Sequence, residues 1–114
     1  MEPQLEVRFF RTEAGNEPVR DWLLEQPATD RRTIGEDLKT VQFGWPLGMP
    51  LVRKMEVGLW EVRVHLDKRI ARLLFTVDGS MLVLLHAFIK KSQATPADDL
   101  TLARQRLRQL RSET

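Results

Sequence analysis

The sequence predicts a small α+β domain built on an antiparallel meander of β-strands, with two helices before the meander and one after it. Three observations support this fold class. Apolar and polar side chains alternate from Leu59 to Leu66, turn signals follow at residues 67–68 and 78–79, and helix-starting residues occur near both ends of the chain. The meander is therefore expected to occupy Gly58 to Lys91, with the other elements arranged around it.

One strand and one short helix are predicted in the first part of the chain. Side-chain character alternates along Leu5 to Arg11, which predicts the first strand. Asn16 is placed to cap a helix that has Pro18 in its first turn. This helix is expected to run to Gln26, because Pro27 follows it.

A longer second helix is predicted next. Thr29 can cap it, Asp30 suits the positive end of its dipole, and Gly44 and Pro46 end it. Its packing face is expected to consist of three apolar residues at helical spacing, namely Ile34, Leu38 and Val41. The segment GWPLGMP is then interpreted as a loop, and a short edge strand is predicted from Leu51 to Met55.

The strand from Leu59 to Leu66 is predicted to have one buried and one polar face. Its even positions are apolar, and its polar positions are Glu61, Arg63 and His65. A two-residue hairpin loop at residues 67–68 would place Arg63 directly opposite Arg72 on the next strand. These two arginines would then share the polar face.

The third strand of the meander, Met81 to Ile89, is apolar on both faces, which predicts that it is the middle strand of the sheet. Asp78-Gly79 is expected to form the hairpin loop before it. Lys90 and Lys91 end the strand on opposite faces. In this register Lys91 shares the face of Arg72 and lies six residues beyond its partner, roughly 20 Å away, a span that suits a nucleic-acid strand better than one small substrate.

The last helix is predicted to begin at Thr95 and Pro96, with the threonine hydroxyl as cap and proline at the first position. Four residues at helical spacing form its packing stripe: Leu100, Ala103, Leu107 and Leu110. Its end is basic, because it carries Arg104, Arg106, Arg108 and Arg111.

Length and composition exclude several classes of protein. The 114 residues fit one domain, residues 1–114, and the absence of cysteine excludes disulfides and cysteine-ligated zinc. The longest apolar run, Met81 to Ile89, is far shorter than the ~20 residues of a membrane helix, and no secretory signal is visible. We therefore expect a cytoplasmic protein. A net charge of +2 permits nucleic-acid binding without indicating it.

The predicted pair of Arg63 and Arg72 is the first candidate site. Like charges opposite each other destabilise a sheet, so the pair is better tolerated where it meets water or an anion such as phosphate. Guanidinium suits phosphate because it donates two parallel hydrogen bonds. Taken alone, such a pair is more often a solvated face, and the Lys90-Lys91 pair is more often a soluble strand end.

Other site classes find little support in the sequence. His65 is predicted on the polar face and His86 on the opposite, packed face, which disfavours a mechanism with two histidines. The two histidines lack HExxH spacing, so no metal site is predicted. Neither GxxxxGK nor GxGxxG is present, so no phosphate-binding loop is predicted.

The chain resembles a known family of toxins. The order of elements, the strands GLWEVRV and RIARLLF, and the segment LLHAFIKKSQATP are similar to the phage-derived Gp49-like, HigB-type branch of the RelE superfamily. The resemblance covers nearly the whole chain and is strongest from about Lys54 to Pro96. It implies a RelE-like fold and a toxin that cuts mRNA on the ribosome, by metal-independent attack of the ribose 2′-hydroxyl on the adjacent phosphate. It also implies a helix-turn-helix antitoxin as partner, and no cofactor.

The resemblance also implies roles for individual residues. Arg63 and Arg72 match basic positions of the family's meander and would stabilise the phosphate in the transition state. Lys90 and Lys91 match the family's FxKK element, and one of them would protonate the leaving group or hold the backbone. Independently of the resemblance, Glu61 shares the predicted face of Arg63 and is the best carboxylate candidate for a general base. A flanking arginine should depress its pKa, so the identity of the base stays open. The remaining predicted RNA contacts are Arg53, Lys54, His65 and Lys68.

An alternative of a different class stays open at this point. The same fold could serve as a binding module without catalysis, a degenerate toxin that only pairs with its antitoxin or with RNA. The sequence contains no tyrosine and no aromatic residue after Phe88. Trp60, Phe75 and Phe88 are all predicted on the packed face, so base stacking has no evident provider.

Overall fold

The described residues form three helices and five strands, which confirms the α+β class. The structure, a computed structural model, describes residues 2–90 and 95–113, with Lys90 described by its backbone. In chain order the elements are β1 (Glu6–Phe9), α1 (Pro18–Leu24), α2 (Ala28–Gly44), β2 (Val52–Glu56), β3 (Leu59–Leu66), β4 (Arg69–Asp78), β5 (Met81–Lys90) and α3 (Ala97–Ser112). The arrangement is consistent with a RelE-like fold.

The sheet is mixed, with the order β1-β5-β4-β3-β2. Strands β2 to β5 form the antiparallel meander that the turn signals predict. Strand β1 pairs with β5 in parallel, from Glu6 opposite Met81 to Phe9 opposite Leu84. Strand β5 is therefore an interior strand, but the prediction that it is the middle one is wrong, because β4 occupies the centre. Strand β2 is an edge strand, as predicted.

The predicted register between β3 and β4 is confirmed. Leu66 pairs with Arg69, and Arg63 lies opposite Arg72. The two-residue loop at Asp67 and Lys68 produces this register, because a short loop leaves no freedom in how the flanking strands pair. Lys68, the second residue of the loop, has a φ of 58°, which is the left-handed conformation.

The predicted register between β4 and β5 is wrong. Asp78 pairs with Met81, so the loop residues are Gly79 and Ser80, and Gly79 has a φ of 61° at the first loop position, where a type II′ turn requires it. A β-bulge near Leu85 adds one more residue on β5, since Leu74 pairs with His86 while Phe75 pairs with Leu84.

This shift changes which β5 residues face Arg72. The partner of Arg72 is Phe88, so Phe88 lies on the same face as Arg72 and not on the face of Trp60. His86 also moves to the face of Arg72. The predicted position of Lys91 lies outside the described residues.

Two apolar clusters lie on opposite faces of the sheet. On one face, α1 and α2 cover β-strand residues such as Val62, Val64 and Phe75. The predicted packing residues of α2 are buried there: Ile34, Leu38 and Val41. On the other face, which we call the α3 face, Ala103 and Leu107 of α3 pack on Leu59, Leu74 and Phe88, and Leu100 and Leu110 flank the contact as predicted.

The three predicted helix caps are wrong, and proline is the common reason. The residues at the N-cap positions are Glu17, Pro27 and Pro96, and no side chain caps these helices. Pro27 and Pro96 are themselves extended at the N-cap positions, whereas Pro18 is the first residue of α1 and disfavours a helical conformation at Glu17 before it. Thr95 is thereby released from capping α3, and its hydroxyl contacts the sheet instead.

An ion pair ties α3 to the edge strand β2. Arg104 donates two hydrogen bonds to Glu56, from Nε to Oε1 at 2.8 Å and from Nη2 to Oε2 at 2.9 Å. These bonds lower the pKa of Glu56 below its ordinary value of 4.5. The pair therefore stabilises the folded state only where Glu56 is ionised.

Glu56→Gln is expected to lower the free energy of unfolding at neutral pH. The difference from wild type should shrink as the pH falls through the depressed folded pKa of Glu56, because protonation of the native carboxylate removes the same interaction. Urea unfolding across this pH range measures the effect. Glu13→Gln is the matched control, since Glu13 is exposed in the loop before α1; a pH-independent loss in Glu56→Gln would contradict the assignment.

Candidate functional site

Charged side chains gather on the α3 face, in two neighbouring rows across the sheet. The first row pairs Arg53 of β2 with Glu61 of β3. The second row pairs Arg63 of β3 with Arg72 of β4. Directly paired residues lie on the same face of a sheet, so three arginines surround one glutamate. The rows continue on β5 with His86 and Phe88.

Four of the residues at this place form what we call the buried charge cluster: Glu61, Arg63, Arg72 and Thr95. Glu61 Oε1 lies 3.7 Å from Arg72 Nη1 and 3.8 Å from Arg63 Nε. Thr95 Oγ1 donates a short hydrogen bond of 2.6 Å to Glu61 Oε2 and accepts one of 3.5 Å from Arg72 Nη1. Thr95 therefore links the segment before α3 to Glu61 and Arg72 of the sheet.

The members of the cluster differ in solvent exposure. Glu61 and Arg72 are 0% exposed, whereas the side chain of Arg63 is 12% exposed. The expectation that the two arginines form an open cationic pair is therefore wrong in this conformation. The physical reason is that α3 and the preceding Thr95 cover this face, and the Glu61 carboxylate lies between the guanidinium groups in place of water or an external anion.

The pKa of Arg72 reflects both its burial and the charges around it. Burial lowers the pKa of the Arg72 guanidinium; the Glu61 carboxylate opposes this shift, and repulsion from Arg63 and Arg53 adds to it. A guanidinium nevertheless stays protonated, because its ordinary pKa lies far above neutral pH. The three arginines thus concentrate positive potential on this part of the α3 face.

Arg63 also lines an open cleft of about 260 Å³ at the edge of the sheet. Strand β2 pairs with β3 only as far as Val62, and the Arg63 amide then donates to Leu51 O at 2.9 Å. The rest of β3 projects beyond β2 toward α2. The cleft that results, which we call the edge cleft, is lined by Thr33, Asp37, Pro50, Leu51, Arg63 and His65.

The other predicted RNA contacts are exposed but do not all lie together. Arg53 is next to the buried charge cluster, whereas Lys54 pairs with Trp60 and so belongs to the opposite face. Lys68 is exposed at the tip of the β3–β4 hairpin. His65 is exposed in the edge cleft.

The two lysines at the end of β5 are only partly accounted for. The backbone of Lys90 pairs with Ile70 of β4, two positions beyond the partner of Arg72. Lys91 is outside the described residues. The roles assigned to these lysines therefore stay predictions.

His86 contacts residues of both α3 and β5. Its Nε2 lies 2.6 Å from Asp99 Oδ1, and its ring stacks on Phe88 at 5.5 Å between centroids. Arg106 Nη1 donates to Leu85 O at 2.8 Å and lies 3.5 Å from His86 Nδ1. The prediction of a packed, hydrogen-bonded histidine is confirmed, but on the α3 face, where it joins α3 to β5.

Two residues of the site were missed by sequence reasoning. Thr95 was predicted as a helix cap, and its contact with Glu61 spans 34 positions of the chain. Asp37 lies on α2 and reaches the edge cleft through the packing of that helix on the sheet. The only available signal for Asp37 was its position on the helix, one residue before the buried Leu38.

Among the described residues, no group of three or more His, Asp or Glu side chains could hold a metal ion. Within the same part of the chain, each helix is too short or too polar to cross a membrane.

Comparison with known proteins gives one result. The sequence model of a protein family described as phage-derived, Gp49-like proteins (DUF891) matches residues 21–108, which is more than half of the chain. The matched segment contains all four residues of the buried charge cluster and all the residues that line the edge cleft. No curated protein is similar enough to the chain to count as a match.

Proposed function

Because the chain belongs to the phage-derived Gp49-like family, which is part of the RelE/toxin-like group, we propose that it is a HigB-type toxin that cuts mRNA on the ribosome. One observation carries the proposal: three arginines concentrate on one face of the sheet, and one of them, Arg63, lines an open cleft. A polyanionic strand is the class of ligand that such a concentration of positive charge attracts.

The arginines have different roles in this proposal. Arg63 is partly exposed and binds the scissile phosphate directly. Arg72 lies beneath it without exposed surface and strengthens the positive potential at the site. Charge held in a buried, water-poor environment acts more strongly on a developing negative charge than charge in water does. Arg53, at the border of the cluster, binds a neighbouring phosphate.

The proposed reaction is an attack of the ribose 2′-oxygen on the adjacent phosphorus. A bond forms between O2′ and phosphorus, the bond from phosphorus to O5′ breaks, and the products carry a 2′,3′-cyclic phosphate and a 5′-hydroxyl. The reaction needs a base for the 2′-hydroxyl proton and a proton for the 5′-oxygen. Glu61 could act as that base only after its contact with Thr95 opens, since the carboxylate has no exposed surface.

The proposal includes partners. A helix-turn-helix antitoxin would neutralise the toxin, and the ribosome would present the mRNA. Both partners are part of the proposal, and membership of the Gp49-like family is its support. The cytoplasm is the compartment in which both partners would be met.

Cell-free translation of one defined mRNA tests the function. We expect new 5′ ends, mapped by primer extension, when the purified protein is added to actively translating ribosomes. The ends should disappear when initiation is inhibited, and when the nucleotide before the cut carries a 2′-deoxyribose, because the nucleophile is then missing. Cuts that survive the 2′-deoxy substitution would contradict the proposed chemistry, and cuts in naked mRNA would contradict ribosome dependence.

A second candidate function is a binding module without catalysis. The burial of Glu61 and Arg72 favours it, because neither side chain is open to a substrate in this conformation. The same translation reaction separates the two candidates. Inhibition of translation without new 5′ ends would support binding alone, whereas cuts would exclude it.

A further inference from the structure

The edge cleft brings together polar side chains from two elements that are distant in sequence. Thr33 and Asp37 come from α2, and Arg63 and His65 come from β3. Arg63 and His65 lie two positions apart on one strand, so they project on the same side at a spacing of roughly 7 Å. The cleft of about 260 Å³ is open to solvent along the part of β3 that β2 does not cover.

His65 is the side chain in this cleft that is suited to proton transfer. It is exposed, and histidine is the side chain that most often acts as a general base in enzymes. The groups that face it are Asp37 from α2 and Arg63 from its own strand, and its cross-strand neighbour on β4 is the uncharged Ile70. The other carboxylate of the site, Glu61, is fully buried, and His86 is held by Asp99.

Asp37 interacts electrostatically with His65. Burial raises the pKa of Asp37, the neighbouring Glu36 raises it further, and His65 lowers it. A carboxylate close to an imidazole stabilises the imidazolium that forms when the imidazole accepts a proton. Asp37 is thus placed to favour the protonated product of a base reaction at His65.

We propose that His65 is the general base of the RNA cleavage, with Arg63 binding the scissile phosphate and Asp37 as the positioning residue of His65, all within the edge cleft. This inference rests on the proposed function and deepens it, since it assigns the site of reaction. The substrate class is a single-stranded RNA phosphodiester with a free 2′-hydroxyl.

The proposed reaction moves one proton to His65 and replaces one bond at phosphorus by another. The neutral imidazole of His65 removes the proton from the 2′-hydroxyl while O2′ bonds to phosphorus, and His65 becomes an imidazolium beside Asp37. The bond from phosphorus to O5′ breaks, and the 5′-oxygen takes a proton from water. Arg63 stabilises the charge that develops on the phosphate oxygens.

Two of the residues that line the cleft are apolar. Pro50 and Leu51 precede β2 and line the same cleft. An apolar wall next to a phosphate-binding arginine provides a surface for a ribose or the face of a base, which compensates in part for the missing aromatic residues near the C-terminus. The cleft therefore fits one nucleotide and its phosphate.

Single-turnover cleavage on ribosomes programmed with one defined mRNA tests the assignment. His65→Gln is expected to slow cleavage by about 10²–10⁴-fold, the usual contribution of a general base. The affinity of His65→Gln for the programmed ribosome, measured by co-sedimentation, should change by less than about threefold, because RNA affinity comes mainly from phosphate contacts. Lys39→Gln, on an exposed position of α2 outside the cleft, is the control and should cleave as wild type does.

The pH profile tests the role of Asp37. Asp37→Asn should slow cleavage less than His65→Gln and should move the acidic limb of the rate profile to lower pH, because loss of the carboxylate removes the stabilisation of the imidazolium. A purely structural role of Asp37 would leave that limb in place. Asp21→Asn, exposed on α1, is the matched control for the change of charge.

Three results of these experiments would overturn different parts of the proposal. If wild type cuts and His65→Gln, shown to be folded by circular dichroism, cuts at the same rate, the assignment of His65 is overturned and the proposed function stands. If wild type binds the ribosome without cutting, the proposed function and this assignment are overturned together. If His65→Gln is slow but the acidic limb does not move in Asp37→Asn, the positioning role of Asp37 is overturned.

Discussion

Replacing Glu61 by glutamine is expected to lower the free energy of unfolding by about 3–5 kcal/mol, the usual cost of removing one member of a buried charge group. The Glu61 carboxylate lies within 4 Å of two guanidinium groups and is 0% exposed. Glutamine keeps the shape and one acceptor oxygen for Thr95 but loses the charge. Urea denaturation at neutral pH, monitored by tryptophan fluorescence, measures the change.

A second substitution shows whether the cause is charge. Arg72→Met removes the buried cation while keeping much of its volume, so the double variant Glu61→Gln/Arg72→Met should be more stable than the sum of the two single changes predicts. Thr95→Ala is the matched control for the hydrogen bond alone, with an expected loss of about 1–3 kcal/mol. Full additivity of Glu61→Gln and Arg72→Met would contradict the proposed charge coupling.

Arg63→Ala is expected to slow mRNA cleavage by about 10²–10³-fold, the size of the effect when one donor to a developing oxyanion is removed. Its effect on stability should be smaller than that of Glu61→Gln, because Arg72 and Thr95 still contact Glu61 in its absence. Removal of Arg63 also relieves a repulsion, since Arg63 contributes to lowering the pKa of Arg72. Cleavage rate and unfolding free energy are measured on the same preparation.

Arg8→Ala is the matched control for Arg63→Ala. Arg8 is an exposed arginine on the opposite edge strand, where it pairs with Glu6 at 2.9 Å. It should cleave mRNA as wild type does. Equal cleavage by Arg63→Ala and wild type would remove Arg63 from the site, and would also remove the support that the arginine concentration gives to the proposed function.

The local pattern predicts well where one interaction dominates. The alternation in Leu59–Leu66 and the short loop after it determine the pairing of Arg63 with Arg72, because strand period and loop length leave one register. The helix faces of α2 and α3 were predicted for a similar reason, since apolar residues at helical spacing must be buried together.

The errors occur where a distant segment decides between local alternatives. The bulge near Leu85 places His86 against Asp99 and Arg106 of α3, contacts that no pattern within β5 contains. Thr95 could cap a helix or bond to the sheet. It bonds to Glu61, since Pro96 occupies the cap position.

The α+β class, the meander, the Arg63–Arg72 pairing and the resemblance to the toxin-like group follow from the amino-acid sequence, because period, turn length and residue type are local properties. The burial of Glu61 and Arg72, and the cleft that Arg63 and His65 line with Asp37, follow from the packing of the helices on the sheet. Exposure depends on which element covers a face, and here the covering elements, α3 and α2, are far from the strands in sequence. The accessible chemistry therefore follows from packing between elements, which a single sequence does not specify.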